Sequence, residues 1–291
     1  MQHKLIGSIA IAVLFTSCSM LHKNKKQASL PGTWQAQPIV IDGDSKDWPS
    51  PYPNYDANSL VAYATSNDKY NLYVTMETGD ELVQMKILKR GMTVSIDTEG
   101  AKDPQLHINY PLENDNDPLD LMKDDNGTKS AYHSKHIDRQ FEGKIDKNLR
   151  EATQFSTEGF NKCNGGYLIS QTTPCGIKIR AKIDEYKELV WEAVIPFKAI
   201  YGIDSISEKE AGKPISVCFA VKAFKNPGSK PAENNSGMNN NMSAGAGGRG
   251  GGMRGGGGGG GGRSRSQSED PMQHLYENTK TWKQFGIAYQ R

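Results

Sequence analysis

The chain is predicted to be all-β, an antiparallel β-sandwich of the immunoglobulin-like or jelly-roll type with a short helix and a polar, partly helical excursion. Three observations predict it. From Pro38 onward apolar and polar residues alternate in short runs, the period-2 signature of half-buried strands. Turn residues punctuate those runs regularly, as in sandwiches and barrels. The glycine excess is local, since 14 of the 31 glycines fall between Gly245 and Gly262, and outside that tract the composition is that of an ordinary globular chain. With 35 Lys and Arg against 33 Asp and Glu among 291 residues, the net charge is +2, which excludes a strongly polybasic nucleic-acid binder or an acidic tail protein. A hydrophobic content of 36% supports one core of moderate size rather than two full ones.

The chain opens with Lys4 and an apolar run from Leu5 to Phe15 broken only by Gly7 and Ser8. A positive start and an apolar stretch of about ten residues make a secretory signal, too short to span a membrane. Phe15-Thr16-Ser17-Cys18 resembles a bacterial lipobox, departing from it at Phe15, where an aliphatic residue is commoner. Residues 1–17 are therefore read as a lipoprotein signal peptide and Cys18 as the lipidated first residue, against the alternative of an ordinary signal with an incidental cysteine. Residues 18–37 follow as a flexible tether with Lys23, Lys25 and Lys26 and, from Ser19 to Leu30, no acid. The acidic residues that often follow the cysteine in surface-exported lipoproteins of the Bacteroidetes type are absent. The expected location is thus the cell envelope, on the periplasmic face of the outer membrane rather than the cell surface.

Residues 38–291 are expected to form a single sandwich domain. Leu60 to Thr65 and Asn71 to Met76 flank Asn67-Asp68 as a hairpin. Glu81 to Leu88 fits helix or strand and is assigned to a short helix. Met92 to Asp97 and Leu106 to Tyr110 are strands separated by Thr98-Glu99-Gly100. A polar excursion runs from Glu113 to about Arg150, with helix between Ser130 and Asn148. Excursions of this length in a β domain often sit at a functional rim. Ile177, Ile179, Ala181 and Ile183 alternate with charges, and Leu189, Trp191, Ala193 and Ile195 alternate until Pro196, which cannot donate to a ladder, ends the strand. Ile215 to Ala223 and Trp282 to Tyr289 supply the last two strands. Residues 229–268, rich in Gly and Arg, read as a disordered insertion between them. Arg249, Arg254, Arg263 and Arg265 resemble RNA-binding segments, but an exported chain seldom meets RNA, so a linker is preferred and no nucleic-acid partner is expected.

Export places the cysteines in an oxidising compartment. Cys163 and Cys175 are expected to pair, because Asn164-Gly165-Gly166 begins a turn-rich segment able to return the chain between them. Cys218 alternates with strand residues and is expected to be a buried free thiol.

A family pattern runs through these elements. Ile41-Asp42-Gly43, Trp48, the strand pair around Tyr63 and Tyr73, and Gly91-Met92-Thr93-Val94-Ser95-Ile96-Asp97 resemble the start of family 9 carbohydrate-binding-like modules, relatives of the DOMON group of secreted sandwiches. Gly159-Phe160, Gly176-Ile177 and the run Leu189-Val190-Trp191-Glu192-Ala193-Val194-Ile195-Pro196 are similar to the paired strands of the later half. The resemblance covers about Ile39 to Tyr289, interrupted by the glycine tract. It implies a secreted antiparallel sandwich, glycan binding, and in many members structural calcium, but it does not carry over a binding site.

Sugar rings present axial C–H bonds to the negative face of aromatic rings, so exposed aromatics are the first candidates for such a site. Trp48, Trp191 and Trp282 are assigned to core packing and Trp34 to the tether, which leaves Tyr52, Tyr55 and Tyr132, in polar loops, as ligand-binding candidates. Asp115, Asp117, Asp120, Asp124 and Asp125 form a dense oxygen cluster suited to calcium, although the spacing is not that of an EF-hand and solvated loop acids are the simpler account. His133 and His136 have metal-pair spacing without a third ligand. Met76, Met85 and Met92 are candidate axial ligands for a DOMON-type haem. No nucleophile elbow, zinc-protease or phosphate-loop motif is present, so the chain is read as a non-enzyme. The expected function is non-catalytic binding of an extended, neutral or weakly charged polysaccharide. The alternatives are a structural or assembly lipoprotein that contacts another envelope protein, and a haem-binding electron-transfer protein.

Overall fold

The structure, a computed structural model, describes residues 31–112, 137–225 and 273–290. Its strands form two antiparallel sheets. The five-stranded sheet contains β1 (Asn54–Asp56), β2 (Val61–Asn67), β3 (Asn71–Thr78), β8 (Lys178–Ile183) and β9 (Leu189–Pro196), in the order β1-β2-β3-β9-β8. The six-stranded sheet contains β4 (Met92–Asp97), β5 (Leu106–Tyr110), β6 (Gln154–Glu158), β7 (Gly165–Leu168), β10 (Pro214–Val221) and β11 (Thr279–Gly286), in the order β11-β10-β4-β5-β6-β7. One core fills the space between them. It takes Val61, Leu72, Val74, Met76, Trp191 and Ile195 from the first sheet and Val94, Ile96, Ile108, Phe155, Val217 and Phe219 from the second. This is the antiparallel sandwich that the alternation predicts, with every second residue of each strand turned inward.

The described residues also include three α-helices. In α1 (Glu81–Arg90), Asp80 caps the first turn by accepting from the Val83 amide at 2.9 Å, and Gly91 at φ 83° ends the helix. Helix wins over strand because the Asp80 cap commits the chain to turn, and the helix is then buried nearly all round, from Val83 to Leu88. Lys86 is 1% exposed and donates to the carbonyls of His274 and Glu277 at 2.8 and 2.7 Å. The helix expected in the polar excursion is α2 (Ile137–Glu151), and α3 (Phe197–Tyr201) begins where Pro196 ends β9.

Several expectations are corrected. The turn-rich segment after Cys163 contains an edge strand, β7, paired with β6 in the register Phe155↔Tyr167. Packed chain begins earlier than the tether boundary at residue 37 implies. The amide of Asn67 donates to Thr33 O at 2.9 Å, that of Gln35 donates to Asn67 O at 2.8 Å, and Trp34 lies half-buried against the main core. Met76, Met85 and Met92 are at most 1% exposed within that core, so they pack rather than face a cofactor. Cys163 and Cys175 form the expected disulfide, with Cα atoms 5.6 Å apart. Cys218 is the expected buried free thiol, and burial pushes it up to about 11.

The outer face of the five-stranded sheet is not a free surface. Ile39, Ile41, Trp48 and Tyr52 lie across it and form a second, smaller core with Ala64 and Tyr73. A single carboxylate organises this cover. Glu192, on β9 and fully buried, accepts from Trp48 Nε1 at 2.6 Å, the Gly43 amide at 2.8 Å and the Asp42 amide at 3.2 Å. Gly43, at φ 82°, approaches β8 so closely that a Cβ would meet Lys182 Cβ at 2.8 Å, which is why glycine stands in the turn.

Candidate functional site

With one outer face covered by the chain itself, the outer face of the six-stranded sheet is the broad polar surface that remains among the described residues. Register places Trp282, Cys218, Ser95, His107 and Glu158 side by side across five strands. At ordinary strand spacing that row is about 19 Å long. The adjoining row carries Lys280, Ala220, Thr93, Asn109 and Ser156. The centre is made of small residues, Cys218, Ser95 and Ala220, and the rings of Trp282 and His107 stand to either side of it. This row, with Cys218 and Ser95 buried at 3% and 6% exposure between the partly exposed Trp282 and His107, is the trough of the outer face.

Neighbouring side chains fix one another along the trough. The Ser95 hydroxyl and His107 Nδ1 are 2.9 Å apart. Thr93 Oγ1 donates to Asn109 Oδ1 at 2.7 Å, and Asn109 Nδ2 donates to Ser156 Oγ at 3.3 Å. These cross-strand pairs hold the hydroxyl, amide and imidazole groups in place before any ligand arrives, which lowers the ordering cost of binding.

Trp282 also lines a cavity of about 550 Å³ where β11 meets β1 at the edge of the sandwich, together with Asn54, Tyr63, Gly100, Ala101, Lys102, Lys283 and Gln284. Small-molecule sites commonly occupy about 300–1,000 Å³. Both walls are specified locally. The β4–β5 loop is held from within by Asp97, fully buried, whose carboxylate accepts the amides of Glu99 at 2.8 Å and Asp103 at 2.9 Å. Gln284 Nε2 donates to Gly100 O at 2.8 Å and clamps the loop to β11. Gly100, at φ 71°, lies so close to Pro214 Cβ that a side chain would collide at 2.7 Å. Opposite, Lys283 Nζ donates to Asn54 Oδ1 at 2.7 Å and ties β11 to β1 across the edge of the sandwich.

The tyrosine candidates fare unequally. Tyr52 is buried, 9% exposed, with its hydroxyl 3.0 Å from Thr75 Oγ1, so it is a core residue and not a rim ring. Tyr55 is 63% exposed, but the pairing Tyr55↔Ala62 sets it on the outer face of the five-stranded sheet, away from the trough. Tyr132, the five aspartates Asp115, Asp117, Asp120, Asp124 and Asp125, His133, His136 and Cys18 lie outside the described residues. Among the described residues no group of three or more His, Cys, Asp or Glu side chains is placed to hold a metal.

The assignment of Trp282 to the core is corrected. Trp191 is fully buried and Trp48 is 6% exposed, as expected, whereas Trp282 is half-buried and lines the cavity. The signal lay in the phase of β11. Lys280, Trp282 and Gln284 share one face and Thr281, Lys283 and Phe285 the other, and the core residue is Phe285.

No family model matches the chain, and no curated protein matches it. Among solved structures it is similar to a family 9 carbohydrate-binding module from Caldicellulosiruptor kristjanssonii in complex with glucose, at 12% identity over 67% of this chain and 78% of that one, with a TM-score of 0.30. The same module in complex with cellotriose matches at 13% identity over 67% of this chain and 77% of that one, with a TM-score of 0.29. At so low a similarity the fold assignment rests on the two sheets themselves.

Proposed function

We propose that this chain is an envelope-anchored, non-catalytic binding protein that holds a polysaccharide in the trough and cavity of its six-stranded sheet. The observation that carries the reading is the partly exposed Trp282 ring, which belongs both to the 19 Å row of about four strand spacings on the outer face and to the lining of the cavity. A pyranose stacks on such a ring through its axial C–H bonds, and Asn, Ser, Thr and His side chains beside it hydrogen-bond the hydroxyls. Signal and lipobox features, with Cys18 as the lipidated residue and a basic tether, supply the anchoring half of the proposal. Calcium bound by the aspartates from Asp115 to Asp125 would brace the polar excursion without touching ligand. The haem alternative has lost its three candidate methionines to the core.

Calorimetry of the full chain against a polysaccharide panel, in the presence and absence of calcium, tests the reading. Trp282→Ala should weaken binding by about tenfold, the loss of one stacking contact of up to about 1.5 kcal/mol, while the melting temperature stays close to that of the parent. Failure of every glycan to bind, with a specific envelope protein co-purifying instead, would replace it with the assembly reading.

A further inference from the structure

We infer that the ligand is anionic: the cavity beside Trp282 takes a sugar carrying a carboxylate or sulfate group. The inference rests on the glycan-binding reading and names the ligand class, replacing the neutral or weakly charged ligand expected from sequence. Lys102 and Lys283 line the cavity, and among the described residues no carboxylate does. Lys280 shares the face of Trp282 two residues away and is exposed. Among the described residues none of the three lysines forms an ion pair, and the partner of Lys283 is the neutral amide of Asn54.

The buried acid of the loop is already engaged. Asp97 is fully buried and consumed by the loop amides of Glu99 and Asp103. Lys102 is held at φ 65°, a backbone region that a lysine occupies at a cost and a glycine would occupy freely. A lysine kept there presents its ammonium on a loop already clamped by Gln284, beside a ring that stacks sugars. Ammonium groups that line the same cavity as a stacking ring, Lys102 from the β4–β5 loop and Lys283 from the opposite face of β11, raise the local concentration of anions and disfavour cations, so they select among sugars by charge. Lysine acts as a point charge and does not demand the bidentate geometry that would tell carboxylate from sulfate.

The test uses the full chain and three polymers of similar length: polygalacturonate, dextran sulfate and unmodified dextran. Binding to one or both anionic polymers should exceed binding to dextran and weaken about tenfold as salt screens the lysines. Comparison of the two anionic arms assigns carboxylate or sulfate. Lys102→Gly, which removes the charge and relieves the backbone, and Lys283→Met should each weaken anionic binding by about three- to fivefold, the value of a partly exposed charge contact. Melting curves separate these losses from unfolding. Salt-independent binding that favours dextran, lost in Trp282→Ala but not in either lysine variant, overturns the anionic assignment and leaves the glycan reading standing. Anionic binding unaffected by Trp282→Ala and by both lysine changes overturns this site, and absence of binding to every glycan overturns both proposals.

Discussion

Glu192 shows how one side chain converts scattered sequence features into a structure. Ile41-Asp42-Gly43, Trp48 and the acid of β9 are far apart in sequence, yet the carboxylate accepts hydrogen bonds from Asp42, Gly43 and Trp48 at once. Removing it leaves an indole N–H and a backbone N–H buried and unpaired. Glu192→Ala should therefore cost about 3 kcal/mol in urea denaturation, and Glu192→Gln, which keeps one acceptor, should cost less. A loss under about 0.5 kcal/mol for the alanine variant would show that the cover docks without it. Glu77, half-buried on β3, supplies a pH test. Burial first, then the like charges of Glu188 and Asp184, raises it to about 7. An acid whose folded pKa exceeds its unfolded value binds more protons when folded, so its stability contribution is full below about 4.5 and is lost as pH rises through about 7. Glu192 is raised to about 7 by burial in the same direction, despite the opposing pull of its donors. The melting temperature should fall between pH 5 and 8 by less in Glu77→Gln than in the parent, and superimposable profiles would exclude Glu77 as a contributor. At this scale the sequence misled twice: Tyr52, read as loop, packs under Trp48, and Trp282, read as core, is on the solvent face.

Among elements, the two closures of the chain carry separate predictions. The Cys163–Cys175 disulfide spans the passage from β7, the edge of one sheet, to β8, the edge of the other. Closing a loop of this size contributes about 3 kcal/mol by chain entropy, so reduction should lower stability by that order and open β7 to amide exchange first. Thiol labelling of the unfolded, unreduced chain should find Cys218 alone apart from Cys18, and three reactive thiols in residues 31–290 would refute the pairing. The second closure is the stem from which the glycine-rich tract departs. Phe224 N donates to Leu275 O at 2.8 Å, Arg90 Nε to Ala223 O at 3.2 Å, and Lys86 to His274 O and Glu277 O, so the chain leaves and re-enters over α1. Replacing 226–272 with a short Gly-Ser linker should leave stability unchanged or raise it by up to about 2 kcal/mol, since each halving of a loop recovers only about 0.6 kcal/mol. A large drop would show that the tract itself packs. The long strands were legible by their alternation; the edge strands β1 and β7, of three and four residues, and the five-residue β6 were not, because so short a run carries too few alternations to register.

For the whole molecule, the proposal combines a tethered sandwich with one outer face closed by its own N-terminal segment and the other open. If Cys18 is the lipidated residue, native protein should sediment with membranes and Cys18→Ala should appear uncleaved or soluble. An unmodified Cys18 in the intact mass of native protein would end the anchoring idea. By itself the sequence determined the class of fold, the hairpin of β2 and β3, the pairing of Cys163 with Cys175 and the burial of Cys218. These follow from alternation, turn chemistry and compartment, all of which act over a few residues at a time. Only the tertiary structure decided which outer face is free and which tryptophan lines the cavity. Both depend on contacts more than 100 residues apart in sequence: Glu192 drawing Trp48 over one sheet, and Gln284 clamping Gly100 beside Trp282 on the other. A local pattern states that a side chain faces one way or the other, but which way is solvent is set by what packs there.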